Sequence, residues 1–229
     1  VNTPDIQKRS FPNPDIGSQF RAIYTHLPYY ETWENLWRFG QYPDVVVGFD
    51  KLPIKYVFWR GVSYIPMIVN ELNQWYTNEF SETGFTQNAP GDCEPMSDKG
   101  CWDSHVRVIE NTPARIVVHW RYSLGNPGHQ WGNYDPATGW GDIADWYFYI
   151  YPDGVASKLM RCYSSYPDTW HEWAEQMAVL GEGQHPESVI EKTPVMTLVD
   201  SAGNAIDYNW NPDPPKPEYK GKKIQKIYF

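Results

Sequence analysis

Short runs of apolar or alternating residues recur along the chain from Gln19 onward, and Pro, Gly, Asn and Asp separate them. Runs of this length between turn residues are typical of β-strands. Only residues 30–39 and 70–76 could form short helical turns, since neither sustains an apolar face over three turns. The pattern therefore predicts an all-β fold, an antiparallel β-sandwich with few short helices. The predicted strands are 19–26, 44–49, 55–60, 62–69, 104–110, 115–123, 144–151, 155–164, 172–180, 195–199 and 223–229.

A chain of 229 residues can bury a substantial core, and we expect one β-sandwich domain over residues 1–229. The Pro-rich residues 1–18 predict an extended N-terminal arm, and the Pro-rich residues 211–222 predict a crossing before the last strand. Two long aromatic loops, 81–103 and 124–143, exceed the usual connection length, which makes them candidate functional loops.

The formal net charge of -9 argues against partners that are themselves polyanions over a large surface. We therefore expect no nucleic-acid partner and no anionic membrane partner, although an acidic ligand could bind at a local basic patch. No run of 18 apolar residues occurs. The chain begins at Val1 without a charged and apolar leader, which suggests either a removed signal peptide or a cut piece, and we expect a secreted or periplasmic protein.

Twelve Trp and seventeen Tyr residues are more than an ordinary core of this size requires. Their flat apolar faces and polar edges suit stacking against sugar rings, although a large β core with aromatic corners would also use many of them. A polysaccharide or oligosaccharide is the partner that this composition favours.

The segment 105–122 predicts a hairpin of two alternating strands around a turn at 111–113. One face of this hairpin is apolar and includes Trp120, while the other carries three arginines and two histidines. Like charges on neighbouring strands repel, so an anionic ligand, or carboxylates such as Asp145 and Glu172, should compensate them. The residues of the charged face are His105, Arg107, Arg115, His119 and Arg121.

A second hairpin is predicted over 144–163, with a clear turn signal at Pro152-Asp153-Gly154. One register places Asp145, Tyr147, Tyr149, Ser157 and Arg161 on the same side. A phenol beside a cation can carry a proton in acid–base catalysis, while a structural tyrosine with a satisfied hydroxyl is the commoner case. Further along, His171 and Glu175 share one face of an alternating stretch, and Glu172 shares the other with Gln176.

Metal-binding patterns are weak in this sequence. Acidic residues crowd the loop around Asp92, Asp98 and Asp103, so a structural calcium ion is the one cofactor that the residues suggest. The six histidines contain no His-x-His or His-x-x-x-His pair and do not indicate zinc. Cys93 and Cys101 could form a small disulfide in an oxidising compartment, and Cys162 is expected to be a buried, inert thiol.

The stretches 104–122, 144–154 and 171–175 together resemble the galactose mutarotase-like β-supersandwich of secreted bacterial polysaccharide lyases, such as ulvan lyases. Residues 57–66 and 75–82 also look like segments of large secreted proteins of polysaccharide utilisation. The similar segments are strand and turn signatures and cover about half of the chain. A jelly-roll-like sandwich is the alternative architecture.

The resemblance implies cleavage of a uronate-containing acidic polysaccharide by β-elimination. In this sequence Arg107 and Arg121 are candidates for neutralising the substrate carboxylate, His105 or His119 for the base, and Tyr147 or Tyr149 for the acid. The other candidate substrate-binding residues are Arg161, Trp120, His171 and Glu175.

Two alternatives to a lyase stay open. The same aromatic and cationic side chains could hold a sugar chain without chemistry, as in a carbohydrate-binding or accessory domain. A glycoside hydrolase or epimerase could instead use Glu172 or Glu175 together with a histidine.

Overall fold

We analysed a computed structural model of the chain, which describes residues 10–28, 42–77, 80–84, 92–172, 180, 183–209 and 223–227. The chain divides into two compact units, residues 1–177 and 178–229, and each is described by itself.

The first unit begins with a five-stranded antiparallel sheet whose strands follow one another in chain order. Every residue of the second strand is buried, because the strand lies inside the sheet and has side chains packed on both of its faces. Such a continuous apolar run is typical of a strand that is covered on both sides. The strands are β1 (Arg21–Thr25), β2 (Asp44–Gly48), β3 (Ile54–Phe58), β4 (Pro66–Asn70) and β5 (Trp75–Thr77).

A second sheet of four strands contains both predicted hairpins, in the order β10-β9-β8-β7. The pairing sets Arg107 opposite His119, which lies opposite Tyr147, and it sets Arg121 opposite Asp145. This is the register that the alternation of side chains predicts. The strands are β7 (His105–Asn111), β8 (Ile116–Ser123), β9 (Ile143–Ile150) and β10 (Ala156–Tyr163).

Side chains of the two larger sheets meet in one hydrophobic core, as in a sandwich. Phe58 of β3 makes an edge-to-face contact with Phe148 of β9, with ring centroids 5.5 Å apart. Trp120 and Trp146 are also fully buried. Full burial of a large apolar side chain stabilises a fold by about 1.5–3 kcal/mol, so these rings dominate the contact between the sheets.

A β-bulge interrupts β7 between Val108 and Glu110, and the extra residue, Ile109, is exposed. The bulge changes which face the next side chains take. Asn111 then bonds the backbone of Ala22, accepting from its N–H at 3.0 Å and donating to its C=O at 2.9 Å. The Asn111 amide therefore satisfies backbone groups of β1, which is an edge strand of the first sheet.

Short elements complete the first unit. Strands β6 (Glu82–Thr83) and β11 (His171–Glu172) pair with each other, and 3-10 turns span Arg60–Val62 and Pro95–Ser97. The second unit contains a four-residue helix, α1 (Pro186–Val189), and a three-stranded sheet. The strands of that sheet are β12 (Met196–Asp200), β13 (Ala205–Tyr208) and β14 (Lys223–Ile227).

The predicted all-β class is confirmed: the sheets are antiparallel, and the helices among the described residues are few and short. The expectation of one domain over 1–229 stays a prediction, because a division by contacts does not decide whether both units fold together. Residues 10–20 form no strand or helix, as the predicted arm requires, and Phe11 stacks on Trp75 at 5.0 Å. Residues 30–39 and 211–222 lie outside the described part of the chain.

The cysteines differ from the expectation of a small disulfide. Cys93 and Cys101 are both buried and are not joined by a disulfide. The Cys101 thiol donates to the carbonyl of Arg60 at 3.1 Å, and Cys93 packs near Gly132. Each thiol therefore has its own packing environment, and the loop between them is held without a covalent bridge.

Among the described residues, no helix combines the length and apolar character needed to cross a membrane.

Candidate functional site

The outward side of the four-stranded sheet collects most of the predicted site residues, and we call it the cationic face. Alternate residues of a strand share a face, and the observed register brings their side chains into rows across the four strands. The two central rows are His105–Arg121–Asp145–Arg161 and Arg107–His119–Tyr147–Leu159. Tyr149 lies in the next row. The cationic face consists of His105, Arg107, His119, Arg121, Asp145, Tyr147, Tyr149 and Arg161.

His119 occupies the middle of the cationic face and is 6% exposed. Its Nε2 lies 2.6 Å from Asp145 Oδ1, and its Nδ1 accepts a hydrogen bond from Arg107 Nε at 3.0 Å. Because Nδ1 is an acceptor and Nε2 faces a carboxylate, we assign a neutral imidazole with its proton on Nε2. Burial lowers the pKa of His119, which outweighs the opposing effect of Asp145.

The Asp145 carboxylate accepts hydrogen bonds from both His119 and Arg121. The Arg121 guanidinium donates to both carboxylate oxygens, with Nε–Oδ1 at 2.7 Å and NH2–Oδ2 at 2.6 Å. Burial alone would raise the pKa of Asp145, but the hydrogen bonds from Arg121 and His119 outweigh it and hold the pKa below its ordinary value. Asp145 thus supplies one of the compensating carboxylates that the sequence predicts, and it is ionised at neutral pH.

Two exposed arginines, Arg107 and Arg161, contribute positive charge to the cationic face. Within the described ranges, neither Arg107 nor Arg161 lies within 4.0 Å of a carboxylate oxygen, and both are exposed. The partner of Arg107 Nε is a neutral imidazole, which does not cancel the charge of the guanidinium. Among the residues that define the cationic face, Asp145 is paired with Arg121, so these residues together carry a net positive charge although the chain as a whole is acidic.

Aromatic side chains frame these charges. The rings of Tyr147 and His119 stack with centroids 4.6 Å apart and planes 13° apart. Arg115 lies 5.7 Å from the ring centroid of Tyr149 and is paired with Glu110, whose Oε2 is 2.6 Å from the Arg115 NH2. Both tyrosines are half-buried. The exposed His105 makes an edge contact with Tyr42 at 5.4 Å.

A pocket of about 240 Å³ lies at one end of the cationic face, and we call it the aromatic pocket. Trp102 stacks on His129 at 4.7 Å, and Trp131 stacks on Trp140 at 5.9 Å with planes 5° apart. Trp102 and Trp140 are 68% and 58% exposed. The pocket is lined by Ser97, Asp98, Trp102, Asp103, Ser123, Gly125, Asn126, His129 and Trp131.

Strand geometry connects the aromatic pocket to the cationic face. Asp103 and Ser123 line the pocket, and the Ser123 hydroxyl donates to Asp103 Oδ2 at 2.9 Å. His105 follows Asp103 by two residues, Arg121 precedes Ser123 by two residues in β8, and His105 and Arg121 pair with each other. A chain-like ligand on the cationic face would therefore reach the aromatic pocket at the end of the sheet.

Two predicted substrate-binding residues, Trp120 and His171, lie outside the cationic face. Trp120 is fully buried and donates its indole N–H to the carbonyl of Ser63 at 3.2 Å. A ring without exposed surface cannot stack on a sugar, so we assign Trp120 to the core and not to substrate binding. His171 belongs to β11 and binds Asp142, not a residue of the cationic face. Glu175 lies outside the described residues.

The predicted calcium residues have other partners. The Asp98 carboxylate accepts hydrogen bonds from the backbone N–H groups of Trp102, Asp103 and Ser104, at 2.8–2.9 Å. This bonding closes the loop that precedes β7. Asp103 Oδ2 also accepts from the Trp131 indole at 3.0 Å. In the described part of the chain, neither these two carboxylates nor that of Asp92 belongs to a group of three close metal-ligand side chains.

A cluster of glutamates lies where β6 and β11 pair. Glu82 is directly opposite Glu172, and Glu94 is close to Glu82. Burial, a hydrogen bond to Glu172 and repulsion between the carboxylates raise the pKa of Glu82 to about 7. Reasoning from the sequence identified Glu172 but missed Glu82, because the proximity of Glu82 and Glu172 depends on a sheet that pairs residues about ninety positions apart.

Sequence reasoning also missed a buried group made of Asp142, Cys162 and His171. Asp142 and His171 lie in predicted loops, and Cys162 lies in a predicted strand. None of the three has a second metal-ligand residue near it at a spacing typical of metal sites. Hydrogen bonds to Asp142 and then to Cys162 raise the pKa of His171 to about 10.

Searches against protein-family models, curated proteins and solved structures find no match to this chain.

Proposed function

We propose that the protein is a polysaccharide lyase that cleaves a uronate-containing acidic polysaccharide by β-elimination on the cationic face. The observation that carries this proposal is that two exposed arginines without a carboxylate partner among the described residues, a neutral imidazole and two phenols share one sheet surface of an acidic protein. A local positive surface on such a chain selects an anionic ligand, and the neutral groups beside it can move protons. The strand and turn resemblance described above agrees with this chemistry.

The reaction that these groups suit needs no oxidant and no second substrate. A base takes the proton from the carbon beside the uronate carboxylate, and the electrons of that C–H bond form a carbon–carbon double bond. The bond to the glycosidic oxygen on the next carbon breaks, and an acid protonates the departing oxygen. A cation at the carboxylate stabilises the charge that develops when the proton leaves.

Arg107 is the best placed group for the substrate carboxylate, since it is exposed and has no carboxylate partner in the described ranges. Its guanidinium also donates to His119 Nδ1. If the substrate carboxylate draws this hydrogen bond away, Nδ1 becomes a free base on a neutral imidazole that Asp145 orients through Nε2. Tyr147, stacked on that imidazole, is then the proposed acid. His105 is the alternative base.

The aromatic pocket would hold neighbouring sugar units. Indole faces bind sugar rings through their apolar surface, and the partly exposed carboxylate of Asp103 offers a hydrogen-bond acceptor for hydroxyl groups. Its position at the end of the cationic face suits a polymer that extends beyond the bond being broken.

A noncatalytic carbohydrate-binding domain is the second candidate, and one observation favours it. Both ring nitrogens of His119 are engaged, and Arg121 is already neutralised by Asp145. A face that is internally bonded in this way can bind an acidic glycan without removing a proton. In that case the aromatic pocket and Arg107 would do the same binding work as in a lyase.

The test is to incubate the purified protein with a panel of acidic polysaccharides and with neutral ones as controls. β-Elimination gives a product whose unsaturated uronate absorbs in the ultraviolet, and the lyase proposal expects this signal from at least one acidic member only. New reducing ends without that absorbance would mean hydrolysis and would direct attention to the cluster of glutamates. Binding without any cleavage would establish the second candidate.

A further inference from the structure

Asp142, Cys162 and His171 form a compact group beside the core of the first unit. One potential ligand atom from each, a carboxylate oxygen, a thiol sulfur and an imidazole nitrogen, lies within 4.8 Å of the others. The side chains of Asp142 and His171 are 0% and 3% exposed, and Cys162 is half-buried. Asp142 comes just before β9, Cys162 is in β10 and His171 is in β11, so the group joins three strands.

Neighbouring groups orient two of these side chains toward a common centre. His171 Nδ1 lies 2.9 Å from the carbonyl of Thr169 and donates to it, which directs Nε2 at Asp142 Oδ2, 2.7 Å away. Asn133 Nδ2 donates to the same Asp142 oxygen at 2.6 Å. Histidine metal ligands in proteins characteristically donate their other ring N–H to a carbonyl or carboxylate, and ligating carboxylates are themselves hydrogen-bonded.

The second oxygen of Asp142 provides independent evidence for a ligand. Oδ1 is buried, and it has no hydrogen-bond partner among the described residues. Leaving a charged acceptor buried and unsatisfied is destabilising, and native proteins rarely keep one without a reason. A cation bound between the three side chains would satisfy this oxygen.

We propose that Asp142, Cys162 and His171 bind a zinc ion. A thiolate, an imidazole and a carboxylate together suit zinc, whereas calcium and magnesium require oxygen ligands throughout. Binding would release the proton from His171 Nε2 and the proton from the Cys162 thiol, since the ligating forms are the deprotonated ones. Three protein ligands leave one position of a tetrahedral site for water or another group.

Such an ion would stabilise the part of the fold that the sequence specifies least. Strand β11 is only two residues long and pairs with an equally short β6. Bonds from zinc to β10, to β11 and to the residue before β9 would fix this small sheet against the four-stranded sheet. We therefore expect metal binding to raise the unfolding temperature, independently of any activity on sugars.

The experiment uses the full chain, purified without a polyhistidine tag and without chelators, and measures bound metal by elemental analysis. We expect about one zinc ion per chain. Replacing zinc with cobalt should give the charge-transfer absorption of a cobalt–thiolate bond, which oxygen and nitrogen ligands alone do not produce. Cys162→Ser should abolish that band and lower zinc affinity by more than about 100-fold, beyond the effect of losing an outer hydrogen bond.

Two further variants separate a metal site from general loss of structure. Cys101→Ser removes another thiol of the same unit, one that bonds the Arg60 carbonyl, and it should leave zinc content and the cobalt band unchanged. Asn133→Ala removes the hydrogen bond to Asp142 and should weaken zinc binding by about 10–100-fold. Wild-type protein that carries no zinc and shows no cobalt–thiolate band when titrated with either metal would overturn the proposal, and so would a band that persists in Cys162→Ser.

Discussion

Tyr147 covers the ring of His119 in a near-parallel stack, with centroids 4.6 Å apart, and these two residues come from neighbouring strands that pair directly. The stack holds the imidazole between Arg107 on one side and Asp145 on the other. These contacts orient the histidine, and its burial lowers its pKa and favours the neutral imidazole.

Replacing Tyr147 with Phe should remove the proposed acid and keep the aromatic stack. General acid–base groups contribute about 10²–10⁴-fold to rate, so we expect at least a 100-fold loss of kcat in the β-elimination assay, with the unfolding temperature little changed. Tyr166→Phe, which alters an exposed phenol of a loop, should leave kcat unchanged. Equal activity in wild type and Tyr147→Phe would show that this hydroxyl is not the acid.

Replacing Arg107 with Gln should weaken binding of acidic oligosaccharides. A hydrogen bond to a charged group is worth about 1.5–3 kcal/mol, which corresponds to at least roughly a tenfold increase in Kd. The loss should be largest at low salt, because screening reduces the charge effect in wild type. Arg21→Gln, on β1 of the other sheet, is the control, and calorimetric titration of both variants measures the difference. A Kd that does not change in Arg107→Gln would remove this residue from the proposed site.

Replacing Asp145 with Asn should destabilise the first unit, because Asp145 is 1% exposed and bonds His119 and Arg121. Removing one partner of a buried ion pair costs about 3–5 kcal/mol, and the half-exposed Arg121 lowers the expected loss to about 2–4 kcal/mol. Urea unfolding measures it. Asp168→Asn, in an exposed loop, should change the free energy of unfolding by less than about 0.5 kcal/mol.

The lowered pKa of His119 predicts a dependence of stability on pH. Below pH 6.5, the ordinary pKa of histidine, His119 binds a proton in the unfolded chain but stays neutral in the folded protein until the pH reaches its lower folded-state pKa. The free energy of unfolding should therefore decrease as the pH falls from 6.5 toward the folded-state pKa. His119→Gln should lack this contribution. If wild type and His119→Gln lose stability equally on the acid side, His119 is not the buried neutral group that we describe.

The raised pKa of Glu82 predicts a dependence of stability on pH that has the opposite sign. Its pKa is raised from 4.5 to about 7, so the folded protein binds a proton that the unfolded chain releases. The contribution of Glu82 is present below pH 4.5 and is lost as the pH rises through about 7. In Glu82→Gln, the free energy of unfolding should decrease less over this rise in pH than it does in wild type. Since the effects of Glu82 and His119 oppose each other in the same pH range, each is measured as a difference between variant and wild type.

Alternation along the strands was sufficient to predict the cationic face. The residues that pair across β7, β8 and β9 are close in sequence. Apolar residues such as Val118 and Trp120 alternate with the polar ones, and only one choice of inward-facing residues buries them. Arg107, His119 and Tyr147 therefore lie together as expected. The bulge at Ile109 was not predictable in this way, because alternation contains no signal for an inserted residue until the pairing is known.

Features that depend on distant parts of the chain escaped prediction. Asp142, Cys162 and His171 are brought together by the pairing of β9 with β10 and by the short strand β11. A pattern of ligands spaced for a loop or helix would have been visible in the sequence, but a site assembled from three separate strands has none. The same reason explains the aromatic pocket, where Trp102 and His129 come from the two long loops that were identified only as candidate functional loops.

The central claim is β-elimination on the cationic face, and the mass of the cleavage products tests it most directly. An acidic polysaccharide that the protein degrades should be digested to oligosaccharides and analysed by mass spectrometry, with Tyr147→Phe as the parallel sample. We predict that wild type gives new non-reducing ends one water lighter than a hydrolytic product, and that Tyr147→Phe gives almost none. Product ends that retain the water, or equal yields of the lighter product from both proteins, would contradict the account.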